Sequence, residues 1–161
     1  IAVASHDDDT IEKLNLVKSW GTTISEFPIT MEVARRAHEL GLHTIAGAPN
    51  ILLGGSHSGN LSAAEAVVDG SVDVLCSDYY PAALVHALFW MHRNHDLPLP
   101  ELARLVTSNP ARAVGMDHEV GTIEPGKKAD VILVRLLEDG TPTVTGAVVD
   151  GAHVFQTTYR R

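Results

Sequence analysis

Residues 21–41 read GTTISEFPITMEVARRAHELG. Gly21 to Phe27 (GTTISEF) is a β-like run. A helical pattern, TMEVARRAHELG, follows at once, with Thr30 placed to cap its start and Gly41 to stop it. The same order recurs on either side. Upstream, IAVAS (Ile1 to Ser5) precedes a helical pattern near Thr10 to Trp20. Downstream, HTIAGAP (His43 to Pro49) leads into a glycine-rich loop and a helix near Ser62 to Asp69. VDVLCSD (Val72 to Asp78) leads into YPAALVHALFWMHRNH. Four strands alternating with helices at this spacing predict parallel βαβ units in an α/β fold.

Beyond these units come two more helical segments, Pro100 to Pro110 and one opening at Asn109-Pro110, where proline suits a first helical turn. The texture then changes. A turn at Glu124 to Lys127 precedes a β-run from Ala129 to Val134. TPTVTGAVVDGAHVF predicts two strands around Asp150-Gly151, a dipeptide that favours a hairpin. A domain boundary is expected near His118, dividing residues 1–118 from 119–161.

Composition narrows the function classes. The 161 residues are 45% apolar and 20% charged, enough to bury one sizeable core. The formal net charge of −8 argues against nucleic-acid binding, which needs basic surface. It leaves an anionic small substrate open, because a divalent metal or a ring of backbone N–H groups reverses the potential locally. No apolar run reaches the roughly 18 residues of a membrane span. IAVASHDDDT lacks the basic start and apolar stretch of a signal peptide. The single cysteine, Cys76, excludes an intrachain disulfide and fits a reducing cytoplasm, the expected location.

In parallel α/β sheets and barrels, ligands bind at the C-terminal ends of strands. His6, Glu26, Asn50 and Asp78 are expected at those four ends. Together they offer mixed nitrogen and oxygen donors for a divalent metal. A plainer reading stands beside this one. A histidine at a strand end is often only a hydrogen-bonded surface residue, and Asp78 could be the N-cap of the next helix. Asp7, Asp8 and Asp9 look like a solvated helix start, where acids suit the helix dipole. The second feature is the loop GAPNILLGGSHSGN (Gly47 to Asn60). Gly54 and Gly55 permit positive φ and close approach to a ligand. Ser56, His57, Ser58 and Asn60 crowd polar groups ahead of a helix, an arrangement that suits phosphate. A flexible connection would also account for such a loop. Trp20, Phe89 and Trp90 are expected to pack, Cys76 to be a small core residue, and the remaining histidines to be structural or exposed.

NPARAVGM…GTIEPGKKADVILV (Asn109 to Val134) resembles the C-terminal signature of the amidohydrolase superfamily. There, a helix leaves the barrel and the chain returns to a small β-sandwich. SHDDDT, SEFPIT, GAPNILLGGSHSGN and SDYYPAALVHA resemble one branch of it, which hydrolyses a phosphoanhydride in bacterial phosphonate degradation (the carbon–phosphorus lyase pathway). This resemblance, which spans essentially all of the sequence, implies the C-terminal half of a TIM-type (β/α)8 barrel with strands of a small β-sandwich. The first four barrel strands are then outside this sequence, since a whole barrel takes roughly 250 residues. His6 is implied as the metal ligand after the fifth barrel strand, and Asp78 as the catalytic, metal-facing aspartate after the eighth. The superfamily commonly places a second histidine ligand after the sixth strand; Glu26 is the nearest substitute here.

The implied function is hydrolysis of a phosphorylated small molecule with release of diphosphate. A divalent metal (zinc or similar) would activate water and Asp78 would take the proton. Asn50, Gly54, Gly55, Ser56, His57, Ser58 and Asn60 would hold the phosphates. One alternative is an amidohydrolase acting on C–N bonds, such as a deacetylase or cyclic-amide hydrolase. Another is a noncatalytic fragment or assembly subunit. With so few ligands, the 161 residues alone are expected to bind metal weakly. With open sheet edges, they are expected to associate, either as a homo-oligomer or with the missing N-terminal half.

Overall fold

The computed structural model describes residues 1–55 and 60–158. Four short strands, β1 (Ala4–His6), β2 (Ile24–Glu26), β3 (His43–Gly47) and β4 (Val74–Cys76), form a parallel sheet in chain order. Helix α1 (Ile11–Ser19) links β1 to β2, and α2 (Met31–Glu39) links β2 to β3. Two shorter helices, α3 (Ala48–Leu53) and α4 (Ala63–Asp69), fill the β3–β4 connection. Helices α5 (Ala83–His95), α6 (Leu99–Arg104) and α7 (Ser108–Ala113) follow β4. The expected caps are in place: Thr30 Oγ1 accepts from the Val33 N–H at 3.3 Å, and Gly41 turns the chain at φ +70°.

Strand register sorts the side chains. Ser5, Ser25 and Thr44 align on one face, joined by Ala46 and Leu75; His6, Glu26, Ile45 and Val74 align on the other. The helices cover the first face. Ala46 and Leu75 pack there with Ile51, Ala66, Ala87, Met91 and Leu102 in the main core. Leu14, Val33, Ala37 and Leu42 form a smaller cluster that joins α1 to α2. His6 and Glu26 therefore project from the side opposite the helices.

The C-terminal stretch forms a separate antiparallel sheet of β5 (Val131–Leu136), β6 (Pro142–Val149) and β7 (Ala152–Gln156). Asp150 and Gly151, at φ 49° and 77°, make the turn between β6 and β7, the paired positive φ values of a tight hairpin. Asn109 Nδ2 donates to the Asp73 carbonyl at 2.8 Å and so anchors α7 to the start of β4.

Four expectations need correction. The connection expected as a loop from Gly47 is helical through Leu53. Pro49 sits in the first turn of α3, and Ala48 and Ile51 are buried, so apolar spacing prevails until Gly54 ends the helix at φ +76°. The first strand begins at Ala4 rather than Ile1, because β1 has a single neighbour and its pairing starts there. Asp8 is not a solvated acid but is fully buried. Trp20 does not pack; it is 71% exposed at the end of α1.

Candidate functional site

His6 and Glu26 are register partners at the last positions of β1 and β2. Their side chains meet, with His6 Nε2 3.9 Å from Glu26 Oε2. The other ring nitrogen, Nδ1, lies 3.1 Å from Asp7 Oδ2. Phe27 stands edge-on to the His6 ring, with centroids 5.2 Å apart.

Immediately beyond the strands the backbone turns sharply. Asp7, Phe27 and Asp78 take φ values of 52°, 55° and 49°. Non-glycine residues seldom adopt this region, and such outliers gather at functional sites. All three line a cavity of about 230 Å³, together with Asn50, Gly55, Asn60 and Tyr79. The described residues lining it include two carboxylates, Asp7 and Asp78, and no lysine or arginine. The pair formed by His6 and Glu26 thus adjoins the cavity through its own chain neighbours, Asp7 and Phe27.

Asn50 lies within α3 rather than at the strand end. Its amide clamps the next segment: Oδ1 accepts from the Ala63 N–H at 2.9 Å, and Nδ2 donates to the Leu61 carbonyl at 3.2 Å. Gly54 and Gly55 hold φ values of +76° and +148°, with no atom of the described residues within 4 Å of where a Cβ would stand. Their need for glycine is conformational rather than steric. Ser56, His57 and Ser58 lie outside the described residues. Cys76, half-buried at the end of β4, keeps its proton. Burial pushes the thiol up, and the nearby negative charges of Glu26 and Asp78 add to that against an opposing hydrogen bond from the Asp78 backbone.

The donors suit a divalent cation in part. Two donors each about 2 Å from one cation can stand up to about 4 Å apart, and His6 and Glu26 fall inside that limit. Asp78 does not join them: among the described residues no three His, Cys, Asp or Glu side chains converge. Among the described residues the donors amount to one pair rather than a closed shell.

Sequence reasoning missed two acids. Asp7 lines the cavity and faces His6, while Asp8 anchors the loop from the opposite side. A run of three aspartates carries no local signal that separates one buried member from its exposed neighbours.

A model of the amidohydrolase family matches residues 5–155. The alpha-D-ribose 1-methylphosphonate 5-triphosphate diphosphatase of Escherichia coli (strain K12) is 44% identical over 137 residues, covering 84% of this chain and 36% of that protein. Among solved structures, an amidohydrolase from Thermotoga maritima MSB8 superposes with a TM-score of 0.72 at 19% identity, covering 98% of this chain and 44% of that one. An adenosine deaminase from Xanthomonas campestris with bound zinc gives a TM-score of 0.62 at 17% identity, covering 97% and 46%. At such identities the structural likeness establishes the fold alone. This sequence spans about a third of its curated relative's length and under half of either structure. The match across nearly the whole chain places it in the amidohydrolase family.

Proposed function

We propose that the complete protein carrying this sequence is a metal-dependent diphosphatase. It would cleave a phosphoanhydride of alpha-D-ribose 1-methylphosphonate 5-triphosphate and release diphosphate during phosphonate catabolism. The observation that carries this reading is the His6–Glu26 pair, 3.9 Å apart beside a cavity lined by Asp7 and Asp78. The 44% identity to a diphosphatase of that name supports the choice of substrate.

Each residue has a part. His6 and Glu26 would hold the cation, and Asp78, which stands apart from that pair, would supply the catalytic carboxylate from just beyond β4. A bound divalent cation would lower the pKa of water to about 7 and offset phosphate charge. The Asp78 carboxylate accepts the proton released as water attacks the phosphorus. Gly54, Gly55 and Asn60, with Ser56, His57 and Ser58, hold the phosphates through backbone N–H groups and short polar side chains. Like charges about 4 Å apart repel by about 4 kcal/mol at a protein surface. An acidic cavity of this kind accepts a triphosphate only with cations between, which favours metal-assisted chemistry.

In architecture, residues 1–118 would form the last four βα units of a (β/α)8 barrel with the helices that follow. Residues 119–161 would supply strands of a β-sandwich completed by chain outside this sequence.

Asp78→Asn in the complete protein tests the assignment. Turnover should fall about 100-fold or more, with cation content unchanged by elemental analysis. Turnover near that of the unaltered protein would remove Asp78 from the chemistry.

A further inference from the structure

Asp8 is wholly buried on the helix side of the sheet, two residues past His6. Its Oδ2 accepts hydrogen bonds from Ser5 Oγ and Ser25 Oγ, each at 2.6 Å. Its Oδ1 has no hydrogen-bond partner among the described residues, and the Lys13 ammonium lies 3.6 Å away. Lys13 Nζ instead donates to the carbonyls of His6 at 3.0 Å and Asp7 at 2.6 Å. The Asp8 carbonyl accepts from the Ile29 N–H at 2.9 Å, and the Asp7 N–H donates to the Glu26 carbonyl at 3.0 Å. One buried carboxylate thus ties the ends of β1 and β2 together, and the backbones of the two following loops are tied with them.

The two serines it grips immediately precede His6 and Glu26. Successive side chains of a strand point to opposite faces, so a clamp on Ser5 and Ser25 fixes the pair on the other face. A carboxylate buried for stability alone is poorly placed here. Burial of a charge is costly unless its lone pairs are met, and among the described residues Oδ1 meets only the Lys13 ammonium, at 3.6 Å. Polar groups behind metal ligands commonly bear on cation affinity by fixing the ligands' orientation.

We propose that Asp8, with Ser5, Ser25 and Lys13, is a buried clamp that sets the spacing of His6 and Glu26 for a divalent cation. Asp8 is a positioning residue that never touches the cation. The inference rests on His6 and Glu26 being cation ligands, so the experiment includes a control for that reading.

The complete protein is stripped of metal and titrated with cobalt(II). Affinity is read by competition with a chromophoric chelator, and ligand geometry by visible absorption, both well below the melting temperature. His6→Ala is the control and should abolish tight binding. Asp8→Asn and Ser25→Ala should each fold, weaken cobalt binding about 10- to 100-fold and alter the absorption bands. A merely structural role would lower the melting temperature and leave the bands unchanged. Should Asp8→Asn fail to fold, the smaller Ser25→Ala change decides. Unaltered affinity and bands in a folded clamp variant, with binding lost in His6→Ala, would overturn the clamp and leave the site standing. Unaltered binding in His6→Ala would overturn the site and the clamp with it.

Discussion

Gly121 shows how a single residue of the GTIEPGKKAD segment is dictated by packing. It adopts φ +95°, and a Cβ there would stand 2.8 Å from Ala111 Cβ, 3.0 Å from Ser108 Cα and 3.1 Å from the Thr107 carbonyl oxygen. Two of those neighbours are backbone atoms of α7 and its cap, which cannot swing away. Gly121→Ala should therefore cost about 2 kcal/mol or more in stability, from backbone strain and overpacking together. Denaturant unfolding measures this, and an unchanged midpoint would contradict the crowding. Asp8 illustrates the opposite case. Its burial depends on Ser25, 17 positions away, so nothing in SHDDDT alone marks it. The strand-end placement of His6 and Glu26 was legible because a polar residue closing a β-like run is visible in the sequence, whatever the register turns out to be.

Between elements, α2 is tied to α4 by Arg35, whose Nη2 lies 2.6 Å from Asp69 Oδ1 and whose Nε lies 3.0 Å from Oδ2. The Arg35 hydrogen bond holds the Asp69 carboxyl below its ordinary 3.8, and the guanidinium charge adds to this. A carboxyl with a depressed pKa in the folded state stabilises above its unfolded value, and that contribution fades as pH falls through the folded one. Asp69→Asn should thus lower the melting temperature slightly at neutral pH, with the difference closing as pH falls below 3.8 and through the lower folded-state value. A difference that grew on acidification would contradict the pairing. The strand–helix alternation was legible because caps and stops, Thr30 and Gly41 among them, lie next to the elements they end. Helix α3 was not. Gly54 and Gly55 dominate the texture of their neighbourhood, whereas the burial of Ala48 and Ile51 that makes the preceding stretch helical depends on packing against α5.

For the molecule as a whole, the outer strands of the antiparallel sheet expose apolar side chains. Ile132 and Leu133 are consecutive in β5 and point to opposite sides, yet they are 52% and 58% exposed. Val154 and Phe155 of β7 are exposed as well. Burial of an aliphatic side chain is worth roughly 1.5–3 kcal/mol, so such surfaces favour association. A polypeptide of these 161 residues alone should scatter light at micromolar concentration as a species heavier than 17.3 kDa. A 17.3 kDa monomer with a cooperative melt would show that the two sheets need no further chain.

The bond proposed to break in the complete protein is a phosphoanhydride. The complete protein, loaded with zinc, should be incubated with alpha-D-ribose 1-methylphosphonate 5-triphosphate and in parallel with N-acyl and cyclic-amide compounds, with products followed by phosphorus NMR and amine detection. Equimolar diphosphate and alpha-D-ribose 1-methylphosphonate 5-phosphate, lost on chelation and restored by metal, are the expected products. Hydrolysis of the amides without release of diphosphate would contradict the account.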